Sequence, residues 1–503
     1  MALPGQILLP PASMAEADRL TIAAGTPGIL LMERAGAGIV RAITARWQPR
    51  PVLVLCGPGN NGGDGYVVAR RLRAAGWPVR LASVRPTERL RGVARLAAEQ
   101  WTGPVEPLGK GTVIGGALVV DAIYGAGLDR AVEGEVADLL RRLADEAGPV
   151  VAVDVPSGID GATGAVLGTA PRADLTVTFA AARPGHYLLP ARERRGELLI
   201  HDIGIDAATI ARCDTGLRRN TPVLWQTAVP VRTGASHKYD LGHALVVGGG
   251  AATTGAARLA AEAALRVGAG LVSIASEPEA VPIYAATLTA VMTKPCADVD
   301  ELEQLASDPR FKAFLIGPGA GTGVTTRERV LRLLATGRPL ILDADALTAF
   351  AGRPGELLER LHGACVLTPH EGEFARLFDL AGCRLERARA AAAETGATLV
   401  LKGGDSIVAS GDGRCAIADN APPTLATAGS GDVLAGLTVG LLAQGMEPFL
   451  ATCAAVWLHG AAATACGGPL VAEDLSRGLA RVIASRWTGE AVAAGACPLH
   501  LRH

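Results

Sequence analysis

Short apolar runs alternate with amphipathic stretches along most of the chain. In the first half, strand-like runs lie at Val52–Cys56, Val79–Val84, Leu118–Ala122, Val150–Val153 and Leu175–Phe179. Helical stretches separate them at about Val67–Ala75, Glu88–Trp101 and Glu135–Ala147. Ser13-x-x-Glu16 has capping-box spacing and predicts a helix to about Ala24. Thr26-Pro27 predicts a second helix, to about Arg46, with proline at the favoured first position. Continuous apolar runs joined by helices mean a parallel sheet covered on both faces, a three-layer α/β/α arrangement.

The alternation pauses over about 205–240, where charges, Thr and Pro mix, and then resumes. The second set of strands is predicted at Ala244–Val247, Leu271–Ala275, Phe314–Ile316, Leu340–Leu342, Cys365–Leu367 and Leu399–Leu401. The expectation is two tandem α/β domains, 1–215 and 225–490, divided near 215–235 and followed by a tail from about Glu490.

Composition narrows the function classes. Lys+Arg 48 against Asp+Glu 49 leaves a net charge of −1, which removes a whole-chain case for nucleic acid or a polybasic membrane anchor. Nine cysteines, an odd number with no CxxC, indicate neither a disulfide framework nor a zinc site. They read as thiols of a reducing cytosol, and a cytoplasmic protein is expected. The N-terminus has no basic region followed by a long apolar core, so no signal peptide is expected. Pro448–Ala472 lacks charge, but its glycines, prolines and His459 fit a buried helix better than a membrane span.

Chemistry concentrates at strand ends. Val52–Cys56 runs into Gly57-Pro-Gly-Asn-Asn-Gly-Gly-Asp-Gly65, and a helix is expected after it. Glycine admits close backbone approach, and a helix N-terminus presents oriented N–H groups. Gly57-x-Gly59-x-x-Gly62 matches a dinucleotide fingerprint, but the next strand ends at Arg85 and not at a ribose-binding acid. Asp121 closes the strand before Tyr124-Gly-Ala-Gly127, and Asp154 closes the strand before Val155-Pro-Ser-Gly158. Ligands of open parallel sheets bind beyond the strands' carboxyl ends, so Asn60, Asp121, Asp154 and Ser157 should face one crevice. Their oxygens suit a hard cation.

GPGNNGGDG, DAIYGAG and VDVPSGID resemble the NAD(P)H-hydrate epimerases of the YjeF N-terminal type, over about residues 10–205. The resemblance implies a Rossmann-like domain with a substrate loop of Asn60, Asn61, Gly62, Gly63 and Asp64. It implies a second loop of Gly125, Ala126, Gly127, Leu128, Asp129, Arg130 and Ala131. It implies that Asp154 contacts substrate, and Asp154 is the choice for the acid/base; a strand-end carboxylate can serve as a base if partial burial raises its pKa, a condition that only the fold can show. It also implies a potassium ion held by Asn61, Asp121 and Ser157.

In the second half, His370 follows one strand in TPHEGE and Lys402 follows another in LKGGDS. Ala428-Gly-Ser-Gly-Asp432 enters an apolar helix, and no P-loop is present. The turn's N–H groups and the helix dipole can stabilise phosphate oxygens, with Asp432 beside them to take a hydroxyl proton. The set GHALVVGGG, TGAARLAAEAALRVGAGLVS, GPG, TPHEGE, LKGGDS and AGSGDVLAG is similar to ADP- or ATP-dependent NAD(P)H-hydrate dehydratases, ribokinase-like proteins of the YjeF C-terminal type, over about 236–485. The resemblance implies that Ala256, Gly319, His370 and Asp432 contact the hydrated nucleotide (NADHX or NADPHX). Lys402, Gly403, Gly404, Asp405, Ser406 and Gly431 would hold ADP or ATP with Mg²⁺. It also implies a homotetramer. One departure stands out: Tyr239 follows His237-Lys238 where glycine is expected. An ordinary small-molecule kinase, an NAD(P) oxidoreductase and a non-catalytic N-terminal module are the rival readings; composition tilts the phosphate donor toward ADP.

Overall fold

The computed structural model describes residues 6–231 and 237–487. The anticipated tail from Glu490, with Cys497, lies outside them. The chain divides into two compact units, Met1–Arg219 and Asn220–His503.

The first unit runs α1 (Pro11–Ala23), α2 (Gly28–Thr44), β1 (Val52–Cys56), α3 (Asn60–Ala74), β2 (Val79–Ser83), α4 (Gly92–Glu99), β3 (Glu106–Pro107), β4 (Leu118–Ala122), α5 (Gly134–Glu146), β5 (Val150–Val153), β6 (Leu175–Phe179), β7 (Glu197–His201), α6 (Ala207–Arg212) and β8 (Leu217–Arg219). Its sheet has the order β3-β2-β1-β4-β5-β6-β7, with every neighbouring pair parallel. Strand residues alternate between faces, so β1 divides itself. Val52, Val54 and Cys56 pack with α2 and α3, whereas Leu53 and Leu55 pack with α5. The order reverses between β1 and β4. Loops leaving these two strands diverge there and open a crevice at the strands' carboxyl ends.

The second unit runs α7 (Pro222–Trp225), β9 (His243–Val247), α8 (Thr254–Arg266), β10 (Leu271–Ser276), α9 (Val281–Thr287), β11 (Met292–Pro295), α10 (Val299–Ser307), β12 (Phe311–Ile316), α11 (Val324–Leu334), β13 (Leu340–Leu342), α12 (Asp345–Thr348), α13 (Pro354–Leu358), β14 (Cys365–Leu367), α14 (Glu371–Leu377), α15 (Arg384–Thr395), β15 (Thr398–Leu401), β16 (Ile407–Ala409), β17 (Cys415–Ile417), α16 (Ser430–Ala443), α17 (Pro448–Cys466) and α18 (Ala472–Trp487). Its strands take the order β11-β10-β9-β12-β13-β14-β15-β16-β17. They are parallel through β15, then turn antiparallel in the β15–β16–β17 meander. The switch point falls between β9 and β12. Helices α8, α16, α17 and α18 cover one face with a large Ala-, Val- and Leu-rich core. Helix α17 is long and apolar enough to cross a membrane, but 72% of its apolar window is buried inside this unit.

Several local expectations need correction. Helix α1 starts at Pro11 with no side-chain cap, so Ser13 and Glu16 lie inside it; Glu16 instead pairs with Arg19 at 2.6 Å. Pro27 is the N-cap of α2 and not its first residue. The stretch predicted as one helix over Glu88–Trp101 is a 3₁₀ turn, Thr87–Arg89, followed by α4. The largest difference is α3. It begins at Asn60, so most of the expected glycine loop is helix. Close packing explains the glycines better than loop freedom does. A Cβ on Gly57 would overlap the Ile123 carbonyl, and one on Gly62 would overlap the Gly57 carbonyl. Gly57→Ala should therefore cost the first unit about 2 kcal/mol, read as a lower urea midpoint. An unchanged midpoint would show that the β1–β4 loop contact is slack.

Candidate active sites

The crevice of the first unit is a cavity of about 580 Å³. Of the anticipated residues, Asn60, Asn61, Asp64, Gly125, Ala126, Gly127, Leu128, Asp129, Arg130 and Asp154 line it. Gly62 and Gly63 are buried in the first turn of α3, where they admit close packing, and Ala131 stands exposed outside the cavity. Asp121 and Ser157 were expected to face the crevice. They are fully buried and do not line it. The Ser157 hydroxyl donates to Asp121 Oδ1 at 2.5 Å and its N–H donates to Oδ2 at 2.8 Å. The Tyr124 N–H donates to Ser157 Oγ at 2.8 Å, so the pair also anchors the loop after β4.

Asp154 is held on every side. Its φ is +64°, a left-handed conformation that a non-glycine residue keeps only when its surroundings enforce it. The Thr178 hydroxyl donates to Oδ1 at 2.8 Å and the Ala126 N–H donates to Oδ2 at 3.0 Å. Arg183 approaches Oδ1 at 3.4 Å. His186 Nδ1 accepts from the Arg183 N–H at 2.9 Å, which places the ring proton on Nε2. That Nε2–H donates to the Asp154 carbonyl at 2.7 Å. Burial keeps this imidazole neutral, its pKa lowered to about 4. The pKa of the Asp154 carboxyl is not raised. Burial pushes its carboxyl up, but Arg183, His186 and the two donors outweigh that and hold it below the ordinary value. Asp154 is thus an ionised, fixed acceptor. Asp64 goes the other way, raised well above its usual value by burial and then by Asp154 and Asp18. Sequence reasoning missed Thr178, which lies in β6, and Arg183 and His186, which follow it.

In the second unit, the residues after β9, β12, β13, β14 and β15 gather at one sheet edge. The Thr253 hydroxyl donates to the Gly319 carbonyl at 2.8 Å, joining the loops after β9 and β12. The Gly321 N–H donates to Asp345 at 2.8 Å, adding the loop after β13. Ala256 is half-buried on the first turn of α8, whereas Ala257 is fully buried in the core. His370 caps α14: its Nδ1 accepts from the Gly372 N–H at 2.9 Å, and Glu373 returns a bond to the His370 N–H at 2.9 Å. Its side chain remains 55% exposed, with Nε2 3.4 Å from Glu373 Oε1.

Lys402 donates to the buried Asp343 at 2.8 Å and lies 3.7 Å from Glu373. Burial would lower its pKa, but Asp343 and Glu373 raise it, so the ammonium stays charged. Asp343 carries no motif of its own and was missed; Glu373 belongs to TPHEGE, but its place beside Lys402 exists only in the fold. Asp405 and Ser406 are both buried. Ser406 Oγ donates to the Gly403 carbonyl at 2.8 Å and accepts its N–H at 3.1 Å, while Asp405 pairs with Arg384. These side chains shape the loop; the exposed Gly403 and Gly404 are what it presents. Gly429, at φ +83°, makes the left-handed turn into α16, and Gly431 lies beside the Lys402 ammonium. Asp432 follows in the first turn. Burial and the neighbouring Asp343 push its carboxyl up to about 6, with Lys402 opposing. The arrangement offers an anion cradle, a cation and a carboxylate able to take a proton near neutrality. Tyr239 stands exposed in a turn closed by the Gly242 N–H and the Tyr239 carbonyl at 3.2 Å.

Comparison with known proteins agrees with this division. Residues 29–185 match the family described as YjeF-related protein N-terminus, and residues 244–479 match the family described as NAD(P)H-hydrate dehydratase. The bifunctional NAD(P)H-hydrate repair enzyme Nnr of Salinibacter ruber is 38% identical over 94% of this chain and 96% of its own. The enzyme of the same name from Moorella thermoacetica is 38% identical over 90% of this chain and 91% of its own. A solved ADP/ATP-dependent NAD(P)H-hydrate dehydratase from Bacillus subtilis, co-crystallised with ATP/Mg²⁺, aligns at 31% identity and TM-score 0.47, covering 53% of this chain and 98% of that one. With relatives of this identity matched along nearly their whole length, the chain belongs to the family of bifunctional NAD(P)H-hydrate repair enzymes.

Proposed function

We propose that the chain repairs hydrated nicotinamide nucleotides in two reactions. The N-terminal unit interconverts the R and S forms of NADHX and NADPHX. The C-terminal unit dehydrates the S form at the expense of ADP or ATP, releasing AMP or ADP and phosphate. The observation that carries this reading is the pairing, on one chain, of two parallel sheets with switch points, each gathering carboxylates beyond its strands' carboxyl ends.

In the C-terminal unit, Asp432 takes the proton of the hydrate's C6 hydroxyl as that oxygen attacks the terminal phosphorus. The N–H groups around Gly429–Gly431 and the Lys402 ammonium offset charge on the transferred group. Ala256, Gly319 and His370 border the hydrate; Lys402, Gly403, Gly404, Asp405, Ser406 and Gly431 hold or shape the nucleotide's place. Phosphate is a far better leaving group than hydroxide, and the ring nitrogen lone pair expels it. The Asp345 carboxylate, near Asp432, would meet the magnesium that accompanies the nucleotide and neutralises its phosphate charge, leaving Asp432 free as the base. A kinase that stopped after phosphorylation would accumulate a stable phosphorylated product; this reading requires free phosphate and reduced nicotinamide in equal amounts.

In the N-terminal unit, Asn60, Asn61, Asp64 and the loop Gly125–Ala131 hold the hydrate, and Asp154 serves as acid/base. Asn61, Asp121 and Ser157 suit a potassium ion. Asp121 is fully buried, has no ion-pair partner among the described residues, and accepts from the Ser157 hydroxyl and from the Ser157 and Ile123 N–H groups. The buried Asn61 Nδ2 is unpaired, and its Oδ1 is turned toward Gly125. When bound, the cation would balance Asp121 and tie the loops after β1 and β4. The reading extends to a cytoplasmic homotetramer, which light scattering tests directly.

Asp154→Asn keeps the shape and removes the acceptor. It should slow R-to-S conversion by at least about a hundredfold, while nucleotide-dependent dehydration of the S form stays unchanged. Epimerisation at the wild-type rate in this variant would remove Asp154 from the chemistry.

A further inference from the structure

Epimerisation needs a group that gives a proton as well as one that takes it, and Asp154 is ionised and fully engaged. The cavity offers another candidate. One wall comes from α1, which lines it with Pro11, Met14, Ala15, Asp18 and Ile22, a single stripe at helical spacing. The next helix adds only apolar residues and a glycine to this wall. Asp18 is therefore the one charged side chain on an otherwise apolar surface, facing a cavity whose polar groups come from the strand ends. Among the described residues none hydrogen-bonds its carboxyl, so neither helix capping nor a structural ion pair accounts for it.

We propose that Asp18 is the proton donor of the N-terminal reaction, working opposite Asp154. This rests on the epimerase reading above. Asp18 gives its proton to the C6 hydroxyl, and the C6–O bond breaks with its electron pair leaving on water. The ring nitrogen lone pair forms the C=N bond. Water then adds to the other face of C6 and yields a proton to Asp154. One water leaves and one returns, and the carboxyls reset by proton exchange with solvent. No oxidant, reductant or nucleotide enters.

The electrostatic surroundings separate the two carboxyls, as acid–base pairs require. Asp18 is faced by Arg183, Asp154 and Asp64. Burial raises it to about 6, Arg183 opposing and Asp154 adding, so it can hold a proton and release it near neutrality. Asp64 belongs to the strand-end side of the cavity with Asn60 and Asn61, and not to the α1 wall opposite it.

The test is a pH–rate profile of R-to-S conversion by the full chain, followed by chiral chromatography without ADP or ATP so that dehydration is silent. Wild type should lose rate as pH rises through about 6, because the donor must be protonated. Asp18→Asn should lower kcat at least about a hundredfold, leave KM within about twofold and abolish that alkaline limb. Asp18→Glu should restore part of the rate, and S-form dehydration should be normal in both variants. Near-wild-type kcat in Asp18→Asn, or an unmoved alkaline limb, would overturn the proposal while leaving the epimerase reading intact. If Asp18→Asn does not fold, the wild-type profile decides, and the lack of a limb near pH 6 counts against Asp18. A wild-type chain that never converts R to S would overturn both.

Discussion

Asp432→Asn is expected to reduce nucleotide-dependent dehydration about a thousandfold, with the S-form KM little changed. Asparagine occupies the same volume in the first turn of α16 but cannot take the hydroxyl proton. The wild-type pH profile carries the sign of the same assignment. Burial and Asp343 raise the carboxyl to about 6. As the base, it must be ionised, so activity should fall as pH drops through about 6 and level off above it. The acid limb should vanish in the variant. A rate within about tenfold of wild type would mean that cradle and positioning dominate, and that Asp432 is a helix-end charge.

Lys402→Met should be the most destabilising single change at either site. The Asp343 side chain is 2% exposed and that of Lys402 19%, and the two meet at 2.8 Å. Removing the ammonium strands a buried carboxylate, which costs about 3–5 kcal/mol, whereas removing both charges together can be nearly neutral. Urea unfolding should thus show a large loss in Lys402→Met and substantial recovery in the double variant Lys402→Met/Asp343→Leu. The double variant should remain inactive as a dehydratase, because the cation beside Gly431 is gone. Equal stability of wild type and Lys402→Met would show the pair to be solvent-screened.

The strand ends were the most legible part of both units. Apolar runs such as Val52–Cys56 and Leu118–Ala122 keep their predicted bounds because five consecutive buried residues leave little ambiguity. Asn60, Asp154, Lys402 and Asp432 could be found because each follows a strand or opens a helix. The segment Asn60–Gly65 was read as loop because glycine disfavours helix. Tight packing of Gly62, Gly63 and Gly65 against Gly57, Met32 and Cys56 overrides that preference. The meander of β16 and β17 was missed because three-residue strands carry too little periodicity to register. Thr178, Arg183 and Asp343 were missed for another reason. Each is an ordinary residue type whose importance comes from the buried carboxylate or ammonium it meets, and that meeting exists only in the fold. The direction of the Asp154 shift could not be read for the same reason, since it is set by Arg183 and His186 arriving from after β6.

The measurement that bears most directly on the account supplies the full chain with a mixture of both NADHX epimers, Mg²⁺ and K⁺, with ADP and ATP in separate runs. The near-ultraviolet absorbance of the reduced ring is followed to completion. Recovery of NADH from both epimers, with one phosphate released per ring restored, is the predicted result and names the phosphate donor. Recovery that stops once the S form is consumed, apart from slow spontaneous epimerisation, would contradict an active N-terminal unit. No recovery with either nucleotide would contradict the account as a whole.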